Sequence, residues 1–262
     1  MTARAGRALV TGGARRLGRA MTLYLASRGY DVAIHYASSA TAAEQTADEA
    51  RAFGVQAATV QADLLDEAQT QTLIARASTA LGGPLTVLIN NASTFDYDNI
   101  RSASRDSWDK NLGSNLRAPF VLTQNFAAQM PPATRGPDGA RALGHVLNML
   151  DQRVRKLTPE FMTYTIAKMG LWAFTQTAAR ALAPNIRVNA IGPGSTLRGE
   201  NQSQEQFDGQ RQTSILERGA NPDDITGALG YFLDAPTVTG QLLCIDGGQH
   251  LGWQTPDIIG YK

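Results

Sequence analysis

The chain has 262 residues, 43% of them hydrophobic and 25 of them glycine, and a formal net charge of +1. That length and apolar content suit one large α/β domain, and so small a charge gives no electrostatic footprint for nucleic acid or an anionic membrane. The single cysteine, Cys244, rules out an internal disulfide, and in the run Gln241-Leu-Leu-Cys-Ile245 it is expected to be a buried, small apolar side chain.

The first element is a buried-strand pattern, Arg7-Ala-Leu-Val-Thr11, which runs straight into Gly12-Gly-Ala-Arg-Arg-Leu-Gly18. The apolar stretch is too short for a signal-peptide core, and no run in the chain approaches the ~18 residues that span a bilayer. A soluble, cytoplasmic protein is expected. An amphipathic helix through Ala20, Leu23 and Leu25 and a strand, Asp31-Val-Ala-Ile-His-Tyr36, follow. Strand, glycine-rich turn, helix and strand open a doubly wound nucleotide-binding sheet. Gly12 permits the tight turn and Gly18 close helix contact, while free N–H groups at the helix start can hold a pyrophosphate.

The alternation continues with a helix over 42–53, a strand over 56–62, a helix over 67–81 and the strand Leu85-Thr-Val-Leu-Ile-Asn90. One long helix is predicted from Ser104 to Met130, then a Pro- and Gly-rich loop over 131–140. The strand Gly144 to Leu150, a helix to Leu182 and the strand Ile186 to Ile191 come next. A polar stretch over 194–221, too long for a plain connection, is expected to be a substrate lid. A helix from Asp223 to Leu233 and a strand from Gln241 to Asp246 close the fold, and residues 249–262 form a C-terminal tail. Strands separated by helices throughout predict a single doubly wound, Rossmann-type α/β domain, with a mainly parallel sheet of about seven strands. Such sheets bind ligands beyond the carboxyl ends of their strands, where Gly12, Asp63, Asn90, Asp151 and Pro193 all fall.

Tyr164 and Lys168 lie four apart in a helical segment and so emerge from one face, one turn apart. An ammonium beside a phenol favours the phenolate, which would bring the Tyr164 proton within reach of neutral pH. No His, Cys, Asp and Glu cluster in the sequence has metal-ligand spacing.

Together these residues resemble the short-chain dehydrogenase/reductase family, over essentially the whole chain. Thr11-Gly-Gly-Ala-Arg-Arg-Leu-Gly18 is similar to its TGxxxGxG turn, and Asn90-Asn-Ala-Ser93 to its NNAG. Asn115, Tyr164 and Lys168 match its catalytic positions, and Pro193-Gly194 and Asp246-Gly-Gly248 match its later turns. Three departures, Arg16 for the second turn glycine, Ser93-Thr-Phe95 after the asparagines and Asp151 for the catalytic serine, resemble the pteridine reductase branch. That branch includes bacterial dihydromonapterin and dihydrobiopterin reductases.

The resemblance implies that Tyr164 gives the proton, that Lys168 holds the nicotinamide ribose, and that Asn115 steadies a water-linked proton path. It implies that Phe95 stacks on a pterin ring, that Arg16 lies near pyrophosphate and pterin, and that Asp151 joins Tyr164 in proton transfer. An ionised carboxylate would repel a ketone oxygen gaining charge, by several kcal/mol at ~4 Å, whereas a ring C=N takes a proton at nitrogen. Asp151 therefore favours a pterin-like C=N.

NADP(H) is expected, because Tyr36-Ala-Ser38-Ser39 carries no acid for a ribose hydroxyl while Arg15, Ser38 and Ser39 can meet a phosphate. Asp63 and Leu64 are assigned to the adenine end, and Leu17, Gly18, Asn91, Ala92, Ser93, Pro193 and Gly194 to the rest of the cofactor. A ketone or 3-oxoacyl thioester reductase and a non-catalytic NADPH-binding module stand as alternatives. Family members are commonly homotetramers, so a tetramer is expected.

Overall fold

Along each short strand the apolar side chains point alternately to opposite faces. Ala8 and Val10 enter one core with Val32, Ile34, Val87 and Ile89, while Leu9 enters the other with Ala33, Leu88, Val146 and Val188. Sequences apolar on both faces need cover on both, and that makes this a parallel sheet between two helical layers.

The computed structural model describes residues 5–199 and 202–253. In chain order its strands are β1 (Gly6–Val10), β2 (Tyr30–Tyr36), β3 (Ala57–Gln61), β4 (Val87–Asn90), β5 (Thr134–Gly136), β6 (Gly139–Arg141), β7 (Gly144–Met149), β8 (Ile186–Pro193) and β9 (Leu242–Ile245). Seven of them form one parallel sheet in the order β3-β2-β1-β4-β7-β8-β9. The chain winds outward from β1 to β3, then returns to β4 and winds the other way. The switch between β1 and β4 opens a crevice at the carboxyl ends of the strands.

The helices are α1 (Arg16–Ser27), α2 (Ala40–Arg51), α3 (Glu67–Ala80), α4 (Arg105–Leu112), α5 (Ala118–Ala128), α6 (Met162–Leu182), α7 (Gln204–Gln212) and α8 (Pro222–Asp234). Met21 and Leu25 of α1, Ala43 and Ala47 of α2, and Leu229 and Phe232 of α8 cover one face. Leu73 of α3, Leu122 and Phe126 of α5, and Ala178 of α6 cover the other.

Four expectations change. The single helix over 104–130 is two helices joined by a π-helical turn, Gly113–Arg117. Pro119 has no N–H to give the carbonyl of Asn115, so the regular ladder cannot pass that point. The loop over 131–140 folds back as the exposed hairpin β5–β6, turning at Gly139 with φ +100. The stretch over 194–221 contains α7, which has no buried residue and is capped reciprocally by Ser203 and Gln206. Arg211 ties it back to the carbonyls of Ser195, Gly219 and Ala220. Cys244 is half-buried, because β9 is an edge strand with one flank uncovered. The tail is described only as far as Trp253, which is exposed, and its last nine residues lie outside the described residues.

At Gly18 a methyl group would sit 2.0 Å from the Gly12 carbonyl oxygen, a contact with backbone that no rotamer relieves. Gly18→Ala should cost roughly 3 kcal/mol or more of unfolding free energy in urea titrations. Near-native stability would mean that α1 does not seat this closely on the turn.

Candidate functional site

The crevice floor is assembled from turns that lock one another. The Thr11 hydroxyl accepts the N–H groups of Asn91 (2.8 Å) and Ala92 (3.0 Å), and the Asn91 side chain donates to the Thr11 carbonyl at 2.8 Å. Gly12, at φ +60, gives its N–H to Nδ1 of His35 at 3.0 Å. The other ring nitrogen of His35 then carries the proton and donates to the Ala62 carbonyl at 3.0 Å. Burial lowers the His35 pKa to about 4, which keeps the ring in this neutral, bridging form. His35 thereby joins the glycine turn to the end of β3.

At the start of α1 no side chain caps the helix, which leaves the first backbone N–H groups for an anion. Arg15 is extended and exposed, and among the described residues it forms no ion pair. It lines a cavity of about 250 Å³ with Ala14, Arg16, Arg19, Ala42, Gln45, Thr46 and Glu49. Ser38 and Ser39 lie beyond Tyr36 at the entry to α2, Ser38 exposed and Ser39 half-buried. Asp63 is exposed at the end of the neighbouring strand and accepts the Leu65 N–H, with Leu64 half-buried beside it. Arg16 departs from this group. It has φ +53, and its guanidinium donates to the carbonyls of Leu197 (3.1 Å) and Arg198 (2.9 Å), fastening the glycine turn to the base of the expected lid. Gly194 follows Pro193 and gives its N–H to the Ile245 carbonyl at 3.1 Å.

Deeper in, α6 and the end of β7 bring Asp151, Tyr164 and Lys168 together. The Tyr164 hydroxyl donates to Oδ2 of Asp151 at 3.0 Å. Asp151 also caps the following turn by accepting the Arg153 N–H at 2.8 Å. Lys168 donates to the Met149 carbonyl at 2.7 Å and stands 5.6 Å from the Tyr164 ring centroid. All three are strongly desolvated, and burial decides their ionisation. It raises the Asp151 pKa and lowers that of Lys168 to about 8. The Tyr164 pKa rises well above its ordinary value through burial, then through the charge of Asp151.

The expectation that Lys168 draws Tyr164 towards the phenolate is therefore corrected. The ammonium is spent on a carbonyl, and the nearest polar partner of the phenol is an acid. Tyr164 keeps its proton at neutral pH.

Asn115, fully buried in the π-turn, donates to the Thr94 carbonyl at 3.1 Å and accepts the Ser93 hydroxyl at 2.6 Å. Thr94 bonds Asn111, Asn111 bonds Thr163, and Thr163 gives both its N–H and its hydroxyl to buried Asp98. This chain fixes the start of α6 against the NNAS turn. Phe95 is 51% exposed, stacks on Phe161 at 4.2 Å and meets Tyr164 edge-on at 4.7 Å. Asp98, Arg153 and Phe161, like the bridging role of His35, escaped the sequence reading. Of these only Arg153 carried a signal, its place two residues after Asp151.

Among the described residues, no group of three His, Cys, Asp or Glu side chains could hold a metal ion, and no helix is long and apolar enough to cross a membrane.

Residues 7–208 match the family model described as short chain dehydrogenase. A crystal structure of FolM alternative dihydrofolate reductase 1 from Brucella suis, in complex with NADP, is 40% identical. It superposes with a TM-score of 0.90 over 97% of this chain and 98% of that one. A short chain dehydrogenase from Burkholderia cenocepacia, also in complex with NADP, is 30% identical, with a TM-score of 0.85 over 94% and 98% of the two chains. The 3-oxoacyl-[acyl-carrier-protein] reductase FabG of Staphylococcus aureus is 30% identical over 249 residues, 93% of this chain and 98% of the relative.

His35 also links the fold to pH. Its pKa is about 4 here against 6.5 when unfolded, so as pH falls below 6.5 the unfolded chain takes up the proton first. Buried His145, lowered to about 3, acts in the same direction. Urea titrations should show stability falling between pH 6.5 and 4, with His35 contributing on the order of 3 kcal/mol. His35→Gln should flatten that slope; an unchanged slope would contradict the buried neutral ring.

Proposed function

The chain belongs to the short chain dehydrogenase family, and on that premise we propose that it is an NADP(H)-dependent reductase of a pterin-like heterocycle of the dihydromonapterin or dihydrobiopterin type. The carrying observation is the Tyr164 hydroxyl bonded to a half-buried carboxyl, Asp151, beside the exposed ring of Phe95. The likeness to a FolM alternative dihydrofolate reductase supports the same reading.

The residues present fit the dinucleotide. Glycines let a backbone approach where any Cβ would collide, uncapped amides open α1, and Arg15 with Ser38 and Ser39 suits a 2′-phosphate. Asp63 stands at the adenine end and Asn91 to Ser93 and Pro193-Gly194 at the nicotinamide end. Structural relatives crystallised with NADP support the choice. When bound, the cofactor supplies a hydride to the carbon of the substrate C=N.

The chain supplies the proton to the nitrogen. Tyr164, which holds its proton at neutral pH, donates it as the hydride arrives, so the double bond becomes CH–NH with no charge left over. Asp151 accepts the phenol's hydrogen bond and relays the replacement proton to it, a transfer eased by the burial that raises its pKa. A ring nitrogen gains no negative charge that this carboxyl would oppose, unlike a ketone oxygen. Lys168 is cationic below about pH 8 and holds ribose hydroxyls, and Asn115 steadies the path by which protons return. Phe95 offers a face to the flat ring. The assembly is read as a homotetramer of 28.0 kDa chains in the cytoplasm.

NADPH oxidation should proceed with dihydromonapterin or dihydrobiopterin and not with an acetoacetyl thioester; turnover confined to the thioester would favour the ketone reductase reading. Tyr164→Phe should lower kcat by roughly 10²–10⁴. NADPH should exceed NADH in kcat/KM, and Arg15→Ala should narrow that gap; equal efficiency in the native protein would contradict the phosphate site. Activity should fall as pH rises through about 8, where Lys168 loses its charge, and Lys168→Arg should move that limb to higher pH. A plateau to pH 10 would mean that the ammonium is not needed.

A further inference from the structure

One cation in the cleft acts on Asp151 and Tyr164 through its charge, but its guanidinium bonds neither side chain. Arg153 lies two residues beyond Asp151 and is half-buried. Its guanidinium gives one N–H to the Thr158 hydroxyl, at 2.8 Å, and among the described residues it enters no ion pair. A guanidinium carries five N–H donors in a planar fork, so most of this fork is uncommitted.

Its place is set by the aromatic pair. Phe95 and Phe161 stack with centroids 4.2 Å apart and planes 5° from parallel. The Arg153 Cζ lies 4.9 Å from the Phe161 centroid and 5.9 Å from that of Phe95. Those distances are too short to both rings for a third layer, so the guanidinium sits alongside the stack. Tyr97 closes another side, edge-on to Phe161 at 5.3 Å. Phe161 holds this place with φ +53 and ψ +49, a left-handed conformation that is strained for a side-chain-bearing residue. Strain of this kind is kept where surrounding structure demands it, often at ligand clamps.

The cleft has a direction. Buried Tyr164 and half-buried Asp151 form its inner end, whereas Phe95, at 51%, Tyr97, at 59%, and the mostly exposed turn that carries Thr158 face outward. A flat ring on Phe95 with its reacting edge at Tyr164 turns its substituent towards Arg153. We propose that Arg153 is a specificity-determining residue that binds an oxygen-rich substituent, a polyol or a carboxylate, carried by the substrate ring. This rests on the pterin-type reading of the site. The fork bonds a carboxylate through two parallel N–H groups and a polyol through single ones. A purely structural role, cation–π support of the stack, would be indifferent to the substituent.

The test is steady-state kinetics of the full chain with NADPH and three 7,8-dihydropterins that differ only in substituent: a methyl group, a trihydroxypropyl chain, and the p-aminobenzoylglutamate of dihydrofolate. Arg153→Met should raise KM about tenfold or more for the polyol and carboxylate substrates. KM for the methyl compound and for NADPH should stay within about twofold, and any change in kcat should be the same for all three substrates. Arg153→Lys keeps the charge without the fork, so the carboxylate substrate should lose less than in the methionine variant, and it still lose more than the methyl compound. It carries the comparison if the methionine variant does not fold. An equal rise for all three substrates would reduce Arg153 to a support of the rings, and no rise would remove its role; either overturns the proposal. Native protein that reduces none of the three would instead sink the pterin reading, and this assignment with it.

Discussion

The hydrogen bond between Tyr164 and Asp151 is the constraint on which the site depends. Both groups are strongly desolvated, and desolvation favours the protonated form of each. The phenol, donating to the carboxyl at 3.0 Å in such surroundings, keeps its proton at neutral pH instead of shedding it to water. The arrangement requires β7 to end where it does, so that Asp151 extends over the floor, and α6 to start just before Tyr164, at Met162. Lys168, bonded to the Met149 carbonyl, ties the helix that carries Tyr164 to the strand that leads to Asp151.

A second set of contacts brings the dinucleotide end to the same place. The Thr11 hydroxyl gathers the Asn91 and Ala92 amides, and His35 bridges Gly12 to Ala62. These bonds span β1, β2, β3 and β4, the strands around the topological switch. The crevice is thus a consequence of strand order, and the polar turns hold it open at one width. Arg16 extends that frame to the excursion over 194–221 through two carbonyls. The start of α6 is fixed separately, through the chain from Asp98 to Asn115.

Much of this was legible in the sequence because it is local or periodic. Alternating apolar strands and glycine turns mark the sheet, and the spacing of Tyr164 and Lys168 places both on one helical face. What was not legible depends on partners distant in sequence. Lys168 was expected to act on Tyr164, but its carbonyl partner comes from another element, and burial, which no spacing reveals, reverses the direction for the phenol. The π-turn at Asn115 follows from Pro119 four residues on, yet a helical pattern alone runs through it. In the sequence Phe161 is one more apolar residue before a helix. Only its left-handed backbone and its stacking on Phe95 separate it from the core. His35 sits in a strand of apolar neighbours, and its two bonds to turns 23 and 27 residues away give it a task.

On the proposed reading Asp151 carries the choice between a C=N and a ketone, and replacing it with the serine found at that position elsewhere in the family tests that choice most directly. Asp151→Ser should lower kcat/KM for a dihydropterin and raise it for an acetoacetyl thioester, assayed side by side with NADPH. If both activities fall in parallel, or dihydropterin reduction is untouched, Asp151 does not select the substrate and the account is wrong at its centre.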